Sequence, residues 1–439
     1  MKSKFSLAIL LVLVVSCANA SASTPDSLSR AVISGNTAES AAAISELRKL
    51  GPAGFSSLLK LHSAEIERHV ANPLEPSTPE WESLSAALDA VSRQRNSYVS
   101  KLFWYTDLEQ AETAARTSGK PILSLRLLGN LNEEFSCANS RFFRTVLYSN
   151  AAVSEVLRER YILHWQSVRP APRITIDFGD GRKLERTVTG NSIHYVLDAD
   201  GRVVDALPGL YGPDAFLRAL SKAESFSRTL AGKTVEARRE LLTNYHQSAI
   251  QTITKDWVED AKLAGGKIPA SLLPPNSNYK RAVDIAPLAV TKAVTELSIL
   301  QSFTRDADSL KAVTDEGTWN RIAARHLTDA KLDEQSIGLI NRQMNDVWVS
   351  NGHQSGAEVK KQQLLKKLQQ SIALDTVRNE YMLHAKLHGW LASGMVSDEV
   401  KTLNEKVYAE LFLTPSSDPW LGLFSDDVYV GLDKGGVVR

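Results

Sequence analysis

The chain has 439 residues, 43% of them hydrophobic and 23% charged, and its 51 basic against 50 acidic side chains leave a net charge of +1. That is the composition of an ordinary globular protein of two or three domains, and it excludes a disordered chain. It also lacks the basic excess that would mark a nucleic-acid binder, so no nucleic-acid partner is expected.

The first 20 residues carry Lys2 and Lys4, an apolar run over 7–15 and then Ala18-Asn19-Ala20. This is the pattern of a secretory signal peptide, so the mature protein is expected in the periplasm or secreted. Val14-Val15-Ser16-Cys17 also matches a lipobox, which leaves open a membrane-anchored lipoprotein with its lipid on Cys17. Either route discards the apolar run, and no later segment reaches the roughly 20 apolar residues of a spanning helix. With Cys17 either cut off or lipidated, Cys137 is the one cysteine with a free thiol, which excludes an internal disulfide in an oxidising compartment.

Residues 24–100 read as a helical lead-in, with helical spacing in Ile44, Leu47 and Leu50 and in Leu84, Leu88 and Val91. A break rich in proline, over 72–79, divides it. Residues 101–224 alternate between types. Helices are expected over 108–117, 138–148 and 152–160, and strands from Pro121, over 161–168, 174–178 and 192–197. Such alternation predicts an α/β layer with a central mixed sheet and flanking helices. Asp177-Phe178-Gly179-Asp180-Gly181-Arg182 reads as a hairpin turn. From 225 to 413 the strand signals nearly vanish. Apolar residues there recur at three and four, as in Ile250, Ile253 and Trp257 or Leu365, Leu368 and Ile372, which predicts an all-α domain. The tail, 414–439, holds too much proline and glycine for a long helix, and Asp418-Pro419-Trp420-Leu421-Gly422-Leu423 could lie as an apolar strap over the body.

Cys137 stands between a strand-like and a helix-like run, at the expected N-cap of the helix, where the positive end of the helix favours thiolate. Arg141 and Arg144 follow along one face of that helix and would act in the same direction. The competing reading is a buried cysteine acting as a small apolar residue among Phe135, Phe142 and Phe143.

Several segments together resemble the thioredoxin-like superfamily, particularly its exported members. They are Phe103-Trp104-Tyr105-Thr106-Asp107-Leu108, Ser118-Gly119-Lys120-Pro121-Ile122-Leu123, Cys137, Val153-Ser154-Glu155-Val156-Leu157 and Asn191-Ser192-Ile193-His194-Tyr195-Val196-Leu197. The resemblance covers about 101–224 only. It implies that Cys137 holds the attacking position of a Cys-x-x-Cys motif whose resolving position is Ser140, and that Ser192 holds the place of the family's cis-proline. A dithiol cycle is then impossible within one chain. The implied activity is that of a monothiol thiol-disulfide oxidoreductase, in which Cys137 forms a mixed disulfide with a protein or small-molecule thiol partner and Arg141 steadies the thiolate. The alternative is a non-catalytic binding or scaffold protein with a degenerate thioredoxin-like domain.

A metal reading competes, with Cys137, His194 and His164 holding copper or another soft ion. Downstream, Glu380, His384 and His388 step by four along a helix. Neighbouring pairs could clamp an ion, but all three cannot reach one, because eight residues of helix span about 12 Å. Histidines paired with buried partners fit that stripe better, and no metal ligand is assigned there. No phosphate-binding glycine loop or nucleophile elbow occurs, and no bound cofactor is expected.

Overall fold

The computed structural model describes residues 24–188, 190–265, 316–350, 357–394, 397–421, 423 and 437. The leader and Cys17 lie outside these residues, as does most of the tail beyond Leu421.

The lead-in is six helices: α1 (Pro25–Ala31), α2 (Thr37–Lys49), α3 (Pro52–Leu61), α4 (Ser63–Ala71), α5 (Pro79–Ser92) and α6 (Ser97–Ser100). Their starts are set locally. Thr24, Asn36 and Thr78 accept hydrogen bonds from first-turn amides, and proline opens α1, α3 and α5, where a missing N–H costs nothing. The expected break falls between α4 and α5. These helices close a small core of their own around Leu47, Leu58, Trp81, Leu88 and Val91.

A four-stranded mixed sheet follows. It consists of β1 (Ile122–Leu128), β2 (Ile162–Arg169), β5 (Ile193–Leu197) and β6 (Val203–Pro208), in the order β2-β1-β5-β6. β1 runs parallel to β2 and antiparallel to β5, and β5 runs antiparallel to β6. Helix α7 (Leu108–Ser118) precedes β1. Helix α8 (Ala138–Phe142), continued by a π-helical turn over Phe143–Leu147, and α9 (Ala151–Arg160) join β1 to β2. Helix α10 (Pro213–Thr229) closes the unit over β5 and β6. Strands β3 (Arg173–Asp177) and β4 (Lys183–Thr187) form the expected hairpin apart from the sheet, with Gly179 and Gly181 at positive φ.

Register decides what each face of the sheet carries. His164 pairs with Ser124, whereas His194 pairs with the next residue, Leu125. Successive residues of a strand face opposite ways, so the two histidines lie on opposite faces. Asp205 pairs with Val196 and therefore shares the face of His194.

The helical region contains α11 (Val235–Leu263), α12 (Glu316–Arg325), α13 (Glu334–Ser350), α14 (Ala357–Arg378), α15 (Ala385–Ala392) and α16 (Val400–Lys406). A π-helical stretch, Asn379–His384, joins α14 to α15, and another, Val407–Leu411, follows α16. This region is not a detached bundle. One hydrophobic core runs continuously from Leu102 and Trp104 through the sheet to Ile372, Leu387 and Phe412. No helix among the described residues is long and apolar enough to cross a membrane.

The chain past α16 is fastened to the sheet. Arg169, at the end of β2, donates to the carbonyls of Thr414 (2.6 Å), Pro415 (3.2 Å) and Asp418 (2.8 Å). Leu421 is buried and Trp420 is half exposed, so the expected strap is apolar on one side only.

Candidate functional site

Cys137 is the N-cap residue of α8, where the strand-to-helix junction placed it. Its amide donates to Leu128 O (3.2 Å), and its own carbonyl accepts from the Arg141 amide (3.1 Å). The side chain is 0% exposed and belongs to the main core. Ser192 lies beside the same motif, its hydroxyl accepting from Asn139 Nδ2 at 2.8 Å. Ser140 is buried with no hydrogen-bond partner for its hydroxyl among the described residues. Arg141 is partly buried on the first turn of α8.

Arg144 does something other than the expected work on the thiol. Its guanidinium turns back to the loop before Cys137 and donates to the carbonyls of Leu131, Glu133 and Glu134 and to Ser136 Oγ. Tyr408 belongs to the same core, and its hydroxyl donates to Asn191 O (2.9 Å), the residue before Ser192.

The histidines of the sheet do not join the sulfur in a common site. Nδ1 of His164 meets Ser124 Oγ (2.8 Å) and Arg126 (3.3 Å) on one face. Nε2 of His194 meets the Tyr148 hydroxyl (2.6 Å) on the other. Burial lowers both to about 3, so both are neutral at ordinary pH. One ion cannot take both of them.

A different cluster forms where α11, the π-helical stretch and α15 meet β6. Asp205 is the buried acid of the edge strand. Its Oδ2 accepts from Tyr245 OH (2.6 Å), and its Oδ1 accepts from the Ala206 amide (2.8 Å). Nε2 of His384 stands 3.4 Å from Asp205 Oδ1, and its Nδ1 stands 2.9 Å from Glu380 Oε2. His388, one turn on, stacks on the His384 ring with centroids 4.0 Å apart. Nδ1 of His388 lies 2.8 Å from Nδ1 of His246 on α11.

The electrostatics follow from burial and neighbours. Burial by itself would lower His384, but Glu380 and Asp205 on either side raise it to about 10, so it is an imidazolium. Burial opposes the charge on Asp205, yet the imidazolium of His384, by its charge and hydrogen bond, holds it below the ordinary carboxylate range. His246 is lowered to about 4, chiefly by burial, against the pull of Asp205. His388 is pushed well below its ordinary value by burial and then by the charge on His384. The cluster thus holds one imidazolium between two carboxylates, beside two neutral imidazoles.

It opens on a cavity of about 810 Å³, within the range of small-ligand sites. Asp205, His384 and His388 line its floor, α10 contributes Arg218 and Lys222, and α11 contributes Asn244, Ser248 and Thr252. On its wall His326 bridges Asp260 (2.6 Å) and Asp329 (3.3 Å), and Tyr381 donates to Asp260 (2.6 Å).

Of this site the sequence pattern offered Glu380, His384 and His388, and they are indeed paired with buried partners. It did not offer those partners, Asp205 and His246, which no local spacing connects to them. Comparison of the chain with protein-family models, with curated proteins and with solved structures finds no match.

Proposed function

We propose that this is a binding protein in which a thioredoxin-like layer serves as scaffold and the cavity between α10, α11 and α15 takes a small polar ligand. The observation that carries it is the cavity of about 810 Å³ with buried Asp205, His384 and His388 in its lining. Groups that are costly to bury are gathered where a ligand can reach them, which is the arrangement expected of a recognition site. Support for the thioredoxin-like reading of 101–224 is the mixed sheet, Cys137 at the N-cap of α8 and Ser192 held against Asn139.

The test is a screen of small polar fragments by protein-observed NMR, run on wild type and on Ala249→Trp, which fills the cavity from α11. Binders whose signals map to the cavity and vanish in the variant are expected. A wild-type protein that binds none overturns the reading.

The monothiol reading is the second. The N-cap placement of Cys137 favours it, since a thiolate there meets the helix dipole. It requires the fully buried sulfur to be uncovered before any partner disulfide can be attacked.

A further inference from the structure

Beside the cavity, which Asp205 and His388 line, three side chains from three separate elements converge. One ligand atom each from Asp205 on β6, His246 on α11 and His388 on α15 lies within 4.8 Å of the other two, and all three residues are buried. The two imidazole nitrogens are 2.8 Å apart, and His388 Nδ1 is 3.8 Å from Asp205 Oδ1. Ligands bonded at about 2.0–2.2 Å to one cation stand roughly 3 to 3.5 Å from each other. These two separations lie on either side of that range. From this geometry we infer that Asp205, His246 and His388 bind one divalent first-row transition metal, with its remaining coordination positions turned toward the cavity.

Two further features fit a built site. The carboxylate is oriented by groups that are not ligands: Tyr245 OH and the Ala206 amide fix its plane, as outer partners commonly do around a metal. The His388 helix follows the π-helical turn at Asn379–His384, a local distortion that is frequent at functional sites. The rings of His246 and His388 face each other through the same nitrogen, Nδ1, and a cation held between them would accept both lone pairs. The ligand set is two imidazoles and one carboxylate. It suits zinc, cobalt or iron and not magnesium or calcium, which take oxygen ligands. His384 is a positioning residue in this scheme. It lies between Asp205 and Glu380 and stacks on His388, so it holds two of the three elements together.

The inference rests on the cavity reading only for where the open positions point. Metal uptake and fragment binding are therefore measured apart, the latter on metal-stripped protein, so that either can fail alone. Untagged protein is stripped with chelator and titrated with Co²⁺ near neutral pH, followed by visible absorption and calorimetry. One saturable equivalent is expected, with d–d bands that Zn²⁺ abolishes and a raised Tm. His388→Gln and Asp205→Asn are expected to weaken uptake at least tenfold, while His62→Gln, in the helical lead-in away from the cavity, leaves it unchanged. If Asp205→Asn does not fold, His246→Gln and the wild-type spectrum decide. A wild type that takes up no saturable equivalent overturns the assignment, and so does a folded His388→Gln that binds as wild type does.

Discussion

Two buried polar regions of this protein differ in what surrounds them. Around Cys137 the motif residues are sealed: the sulfur and both serines are inaccessible, Arg144 ties down the preceding loop and Tyr408 is bonded to Asn191 beside Ser192. Around Asp205 the groups are just as buried one by one, but the cluster forms the floor of a cavity. Position within a motif therefore marks a place in the fold, whereas chemistry needs access as well. In this chain the two properties fall in different places.

The sharpest way to break the comparison is to remove the cation that holds the second region together. His384 is the imidazolium between Asp205 and Glu380, so His384→Leu leaves two carboxylates facing each other across an apolar side chain. Stripping one partner from a buried ion pair costs about 3–5 kcal/mol. Urea unfolding of metal-free protein measures it. A loss below about 1 kcal/mol would show that water screens the cluster and that it is not a closed network.

The sheet histidines give the next largest effect, and one of opposite electrostatic sense. The pKa of His194 is lowered to about 3 by burial, against about 6.5 in the unfolded chain. Between these values the unfolded chain binds the proton and the folded chain does not. The stability that His194 contributes is therefore fully present above about pH 6.5 and is lost as pH falls toward 3. From pH 7 to pH 5 this amounts to about 2 kcal/mol. The acid-induced fall in unfolding free energy is expected to be smaller by that amount in His194→Gln than in wild type. Equal falls in the two proteins would mean that the ring is protonated without penalty.

How far the sequence carried the reading depends on how local each signal is. Helices α7 and α9 and strands β1, β2 and β5 were legible because apolar spacing and caps such as Asp107 and Asn150 lie within a few residues. Strand β6 was not. It follows directly on the turn, carries Asp205 at its centre and ends in Pro208, so it reads as surface chain until β5 pairs with it. The site repeats the lesson on a larger scale. His384 and His388 are visible as a helical stripe, but Asp205 and His246 join them only through tertiary packing. Cys137 was correctly placed at the start of α8. The core in which it is buried includes Tyr408 and Phe412, more than two hundred residues on, and no window around the cysteine contains them.

The smallest expected effect tests whether the first region is closed permanently or only covered. Thr414 donates its amide to Tyr408 O (2.7 Å), and Arg169 holds the carbonyls of Thr414, Pro415 and Asp418. Tyr408 thus sits on a segment that Arg169 ties to the sheet, alongside the Tyr408 hydroxyl on Asn191 O and Asn191 Nδ2 on Thr414 Oγ1. Replacing Arg169 by Gln removes charge-assisted hydrogen bonds worth about 1.4 kcal/mol net, equivalent to a tenfold larger population of the opened segment. If labelling of Cys137 by a maleimide proceeds through that opening, wild type reacts slowly in the folded state and Arg169→Gln reacts about ten times faster. Equal and slow rates would show that the sulfur is sealed by the core of the sheet itself, and the monothiol reading would then have no route to a partner. A fast wild-type reaction would instead mean that the segment stands open in solution, and the first region would regain the access that separates it from the second.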